Sequence, residues 1–295
     1  MKRSRRANGA AESSAAFALD GENALEFDNV TFGYKDQAVL DGASFTVKRG
    51  EFVALVGPNG TGKSTSLRLA DGLLKPSSGA VRVLGADTQK VRVSDLAKHV
   101  GFLFQNPDRQ ICQNTTREEV AFGLRVLYGD DDPRVEARTN EVIDLLHLNP
   151  DVDPFNLAKG QRQAVALAGL IAVEPDILLL DEPTTGFDYD ECMEMMAHIA
   201  KMNAAGTTVV MVCHDMEVVL DFAQRAIVLA NGHVIADGSV REIFHQHDVL
   251  EQASLLPPQI CELSQRLERD FPELANIFGT EEMADAICAL KEERF

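Results

Sequence analysis

Phe52-Val53-Ala54-Leu55-Val56-Gly57-Pro58-Asn59-Gly60-Thr61-Gly62-Lys63-Ser64-Thr65 is the stretch on which the fold turns. Its first five residues are continuously apolar, the pattern of a strand covered on both faces in a parallel sheet. The nine that follow match G-x-x-x-x-G-K-[ST]. Glycines let the backbone curl until successive N–H groups point inward, and the N-terminus of the next helix completes a cage for anionic oxygens. Gly57, Asn59, Gly60, Thr61 and Gly62 build that cage, Lys63 reaches β- and γ-phosphates, Ser64 gives an oxygen to Mg²⁺, and Thr65 completes the motif. Average residue frequencies give ~0.01 such matches in a chain of this length, so the motif reads as a phosphate loop.

A second element ends in acid. Ile177-Leu178-Leu179-Leu180 runs into Asp181-Glu182, 118 residues beyond Lys63. A strand placed next to the phosphate-loop strand sets both carboxylates at the C-terminal edge of the sheet, where open α/β sheets bind ligands. Asp181 then belongs to the Mg²⁺ shell, and Glu182 orients and polarises an attacking water.

The remaining pattern divides the chain. Residues 1–22 are small, polar and basic at the start, which predicts a disordered tail. Short alternating runs from Leu25 to Val47 predict half-buried strands. Over about 107–173 helical periodicity takes over, with Val120, Leu124 and Leu127 on one face and Val142, Leu145 and Leu146 on another. Thr208-Val209-Val210-Met211-Val212 is a further buried strand, after a helix over 191–203. Beyond Gly238 helices opened by Pro257-Pro258 and Thr280-Glu281-Glu282 predict a C-terminal extension over 241–295, with simple packing and dimerisation both open as its role. The expected domain boundaries are thus 1–22, 23–240 and 241–295.

Composition narrows the function classes. The chain has 295 residues, 46 acidic against 28 basic, for a net charge of −18. That sign repels a phosphate backbone and argues against a nucleic-acid partner. Five cysteines, none in a C-x-x-C pair, predict free thiols. No apolar run suits a secretory signal or approaches the ~18 residues of a membrane span.

With these motifs in order, the chain resembles an ABC transporter ATPase from about Leu25 to Gly238. The resemblance implies a P-loop α/β core with an antiparallel β subdomain and a helical signature subdomain, binding ATP with Mg²⁺. It assigns Tyr34 to stacking on adenine, and Gln105 to Mg²⁺, water and sensing of a membrane partner. Asp188 matches the loop coupling two sites across a dimer, and His214 the histidine on the γ-phosphate. Leu157-Ala158-Lys159-Gly160-Gln161 stands where the family carries Leu-Ser-Gly-Gly-Gln, the signature that acts in trans on the partner's nucleotide. Ala158 offers no hydroxyl to that γ-phosphate, a loss of about 1.5–3 kcal/mol. The defect belongs to the partner's site, so a non-identical paralogue is the expected second ATPase subunit.

Phe104-Gln105-Asn106-Pro107-Asp108-Arg109-Gln110 and Thr116-Arg117-Glu118-Glu119-Val120-Ala121-Phe122-Gly123 are similar to the energy-coupling factor group. That group imports vitamins or cobalt and nickel. The resemblance implies a membrane scaffold subunit, a substrate-binding membrane subunit, and a peripheral place on the cytoplasmic face of the cell membrane. Another transporter class, or a regulatory ATP-binding protein with weak hydrolysis, is the alternative. Acidic balance agrees with docking under Lys- and Arg-rich cytoplasmic loops, and from Val240 onward 5 basic residues face 12 acidic ones.

Overall fold

The computed structural model describes residues 17–35 and 37–294. Of the tail expected over 1–22, the part up to Ala16 lies outside the described residues. Phe17, inside the expected tail, is packed, with its ring centroid 4.6 Å from that of His99.

The strands are β1 (Asn23–Tyr34), β2 (Gln37–Lys48), β3 (Phe52–Val56), β4 (Ser78–Val83), β5 (Ala86–Asp87), β6 (Val100–Leu103), β7 (Ile177–Asp181), β8 (Thr208–Val212), β9 (Arg225–Ala230) and β10 (His233–Ser239). The helices are α1 (Lys63–Ala70), α2 (Val93–Leu96), α3 (Thr116–Tyr128), α4 (Pro133–Leu145), α5 (Lys159–Val173), α6 (Tyr189–Ala204), α7 (Met216–Phe222), α8 (Val240–His245), α9 (His247–Gln252), α10 (Gln259–Leu267) and α11 (Thr280–Arg294).

Two sheets organise them: a four-stranded sheet ordered β2-β1-β4-β5 and a six-stranded sheet ordered β10-β9-β3-β8-β7-β6. In the larger sheet β3, β6, β7, β8 and β9 pair in parallel, and β10 returns antiparallel on β9. Every residue of β3, β7 and β8 is buried, because both faces are covered. The period of two sorts them. Val53 and Leu55 join a core shared with α1 and the antiparallel sheet, whereas Phe52, Ala54 and Val56 join the core shared with the helices opposite.

The expected neighbour relation of the two functional strands is corrected here. β8 lies between β3 and β7, so Asp181 approaches the phosphate loop from two strands away. Sequence pattern carries no record of which crossover places which strand, since all three read as the same buried run.

Between β6 and β7 the chain is helical. Thr115 caps α3 by accepting from Glu118 N, and Asp132 caps α4 ahead of Pro133. The buried face of α4 is Val135, Thr139, Val142 and Ile143. Leu145, expected on that face, is instead 41% exposed, because it sits about a third of a turn off the stripe. After β10, Val240, Ile243 and Phe244 of α8 enter the helix-side core, and Leu274, Ile277 and Met283 form a small cluster of their own. All five cysteines are free, and no described helix is long and apolar enough to cross a membrane.

Asp71 caps the C-terminal end of α1 and is buried. Burial pushes its pKa up to about 7, and a carboxylate at a helix C-terminus also opposes the helix dipole. The folded state therefore holds a proton that the unfolded chain has released, and stability falls as pH rises from about 4 through 7. Asp71→Asn removes that loss. Denaturant titration is expected to show the variant roughly 2–4 kcal/mol more stable than the parent at pH 8, with little gain at pH 4.

Candidate nucleotide site

The phosphate loop begins where β3 runs out beside β9. Gly57 turns there at φ 138°, and a Cβ on it would lie 2.0 Å from Leu229 O, so no side chain fits. Thr61 Oγ1 donates to Pro58 O at 2.9 Å, which closes the loop on itself. α1 then starts at Lys63, whose ammonium is buried under the loop. Nζ donates to Gly57 O at 2.8 Å and Pro58 O at 2.7 Å. Burial pulls the Lys63 pKa down, and the charges of Glu182 and Asp181 oppose that pull. A cation so placed has given up water and gains from any anion that enters the loop.

Ser64 Oγ donates to Asp181 Oδ1 at 2.7 Å. Burial raises the Asp181 pKa, against the lowering effect of that hydrogen bond and of Arg68 and Lys63. A hydroxyl and a buried carboxylate set oxygen to oxygen are hard donors of the kind Mg²⁺ selects, so these residues fit the ion. Among the described residues no cluster of three or more His, Cys, Asp or Glu offers a different metal site.

Glu182 follows β7 with φ 54°, a left-handed backbone that costs of order 1–3 kcal/mol for a residue with a side chain. Its N–H is fixed by Val212 O at 2.9 Å. The effect is to turn the carboxylate off the strand and toward two partners. Gln105 Nε2 donates to Oε2 at 2.8 Å, and His214 Nε2 lies 2.8 Å from Oε1. The structure thus brings Gln105, Glu182 and His214, expected from separate motifs, into one hydrogen-bonded row beside Ser64 and Asp181.

Other expected residues stand further out. Tyr34 is 43% exposed at the end of β1 and meets Phe32 edge-on at 5.0 Å. Asp188 caps α6, accepting from Glu191 N at 2.9 Å while Glu191 Oε2 accepts from Asp188 N at 3.1 Å. Ala158 is the N-cap of α5 and supplies no side-chain acceptor, so Gln161 alone closes that turn by accepting from Ala158 N at 3.2 Å. Leu157 O accepts from Arg162 Nη1 at 2.7 Å. Gly160 backs onto Gly186: a Cβ on Gly160 would lie 2.4 Å from Gly186 O. Gly186 itself has φ 96°, and the stem of Lys159 lies across it.

Two residues of the site were not singled out from sequence. Arg162, on the signature helix, pairs with Asp108 at 2.8 Å, and Gln110 bridges Phe104 N and Ala166 O. Together they tie the loop after Gln105 to α5. Both acceptor and donor were visible in Asp108-Arg109-Gln110, but nothing local marks a partner some fifty residues away.

Comparison with known proteins gives the same fold. The ABC transporter family matches residues 40–185. An energy-coupling factor transporter ATP-binding protein, EcfA2, of Acetivibrio thermocellus is 36% identical over 245 residues, covering 81% of this chain and 86% of that protein. The solved structure of cbiO1 from Clostridium perfringens, described as part of the ABC transporter complex cbiONQ, superposes with a TM-score of 0.69 at 30% identity over 83% of this chain and 100% of that one. The dimeric post-hydrolysis structure of the ATP-binding cassette MJ0796, bound to ADP and Pi, gives 0.66 at 30% identity over 73% and 98%. The chain spans 44% of the length of several other curated relatives, described as putative ABC transporter ATP-binding proteins. With the phosphate loop, the acidic strand end and this likeness along most of its length, the chain belongs to the ABC transporter ATP-binding family, with energy-coupling factor ATPases among its relatives.

Proposed function

We propose that this chain binds and hydrolyses ATP as one of two cassette subunits of an energy-coupling factor importer for a vitamin or a transition-metal ion. The observation that carries the reading is the row Gln105–Glu182–His214 set beside Lys63, Ser64 and Asp181. Lys63 exchanges its loop carbonyls for β- and γ-phosphate oxygens. Ser64, Asp181 and Gln105 would hold Mg²⁺, which would supply charge neutralisation to the bound nucleotide. Glu182 accepts the proton of the water it orients, and His214 steadies the γ-phosphate. Closing of two chains head to tail completes each site with the other's signature, and reopening after hydrolysis shifts the membrane subunits between two arrangements.

Ala158 supports an unequal pair. This chain keeps a complete phosphate-loop side but presents a weakened signature, so its partner is a paralogue whose own nucleotide is held less well. Gln105 faces the scaffold, at the cytoplasmic side of the membrane. The test is purification from native membranes through a tag on this chain. A second, non-identical cassette, a scaffold and a small substrate-binding membrane protein are expected. Recovery of the two fused membrane domains and soluble receptor of a conventional importer would move the chain to another transporter class.

A further inference from the structure

A cleft of about 840 Å³ lies where the C-terminal helices meet the rest of the chain, walled by the start of α6, by α7, and by α10 with the turn that opens α11. That is the size of a small-molecule site, and such sites favour junctions between packed units. Val218, Ile260 and Leu263 make the walls partly apolar, and Phe187, Tyr189 and Phe278 bring aromatic rings. Phe278 already takes a cation on its ring, the Arg241 guanidinium at 4.8 Å.

Charge on the walls has one sign. Asp188, Asp215, Glu217 and Asp221 line the cleft with no Lys, Arg or His among them, and none of the four is in an ion pair with a described residue. Asp215 Oδ1 accepts from Glu217 N at 3.0 Å, and Glu217 Oε1 from Gln259 N at 3.0 Å. Burial, with the charges of Glu217 and Asp215, raises the Asp221 pKa. The Cys192 thiol, 8% exposed, faces the same space with no hydrogen-bond partner among the described residues. The carboxylates do not converge on a point: among the described residues no group of three or more His, Cys, Asp or Glu could hold a metal ion. Negative charge spread around an apolar and aromatic space suits positive charge spread along a carbon chain.

We propose that this cleft binds an alkyl polyamine, whose ammonium groups meet Asp215, Glu217 and Asp221 while its methylenes lie on Ile260, Leu263 and the Phe187 ring. Bound there, it ties α10 and α11 to the segments that follow Glu182 and His214. On the hydrolytic reading above, that sets a soluble signal next to the catalytic row.

Spermidine is the probe, titrated calorimetrically into the nucleotide-free full chain at constant ionic strength and followed by hydrogen exchange. Saturable binding is expected, with slowed exchange confined to 187–193, 215–221 and 259–280, on both sides of the cleft. Asp221→Asn and Leu263→Ser are each expected to weaken it about tenfold. Asp131→Asn, which removes the same charge from the distant turn before α4, is expected to leave it unchanged. No saturable binding at millimolar spermidine, protection spread over the acidic surface, equal weakening by Asp131→Asn, or the same protection from Mg²⁺ alone overturns the proposal.

Discussion

Glu182→Gln lowers ATP turnover at this chain's phosphate-loop site by about 10²–10⁴-fold, with ATP binding retained. The amide keeps the size of the carboxylate and one oxygen for Gln105, but it cannot take a proton from water. The backbone that aims it stays in place, because Val212 O and the buried β7 hold Glu182 N regardless of the side chain. Loss of charge beside His214 also frees the imidazole for the γ-phosphate, so the nucleotide-bound, closed form accumulates. The measurement is steady-state phosphate release from the assembled complex, together with nucleotide affinity. Near-normal release would remove Glu182 from the chemistry, and with it the assignment of hydrolysis to this chain's own loop.

On the proposed two-chain reading, Ala158→Ser acts on the other nucleotide. A hydroxyl at the N-cap of α5 regains one charge-assisted hydrogen bond to the partner's γ-phosphate, about 1.5–3 kcal/mol, or roughly ten- to a hundredfold in the population that is correctly closed. It also supplies the side-chain cap that α5 lacks. Made together with Glu182→Gln, which silences this chain's site, the substitution is expected to raise the residual turnover of the complex by about tenfold or more. If residual turnover does not move, the weak signature is not what makes the pair unequal.

Much of the site is legible in the sequence, and the reason is local. A phosphate loop and a strand ending in two acids each carry their chemistry within a few consecutive residues, and Lys63, Ser64, Asp181 and Glu182 meet as their motifs imply. What was illegible depends on distant chain. β8 inserts between β3 and β7, and three equally apolar runs do not say which lies in the middle. Leu145 satisfies a helical spacing yet faces outward, since the stripe is set by what α4 packs on. The Asp108–Arg162 pair and the left-handed turn at Glu182 have no signature in composition or period, because each is imposed by packing around it.

The backbone contact of Gly160 with Gly186 has a mechanical meaning. Gly186 lies four positions beyond Glu182, and the helix that starts at Lys159 rests directly on that glycine, so one short link joins the carboxylate proposed for hydrolysis to the segment proposed as the signature. Side chains can absorb a small displacement by changing rotamer, but touching backbones cannot. In the proposed two-chain assembly, each subunit would then act as a stiff lever with one arm in its own nucleotide and the other in its neighbour's. A half-ångström adjustment after one bond breaks is passed on rather than lost, and two sites of unequal quality are obliged to keep step.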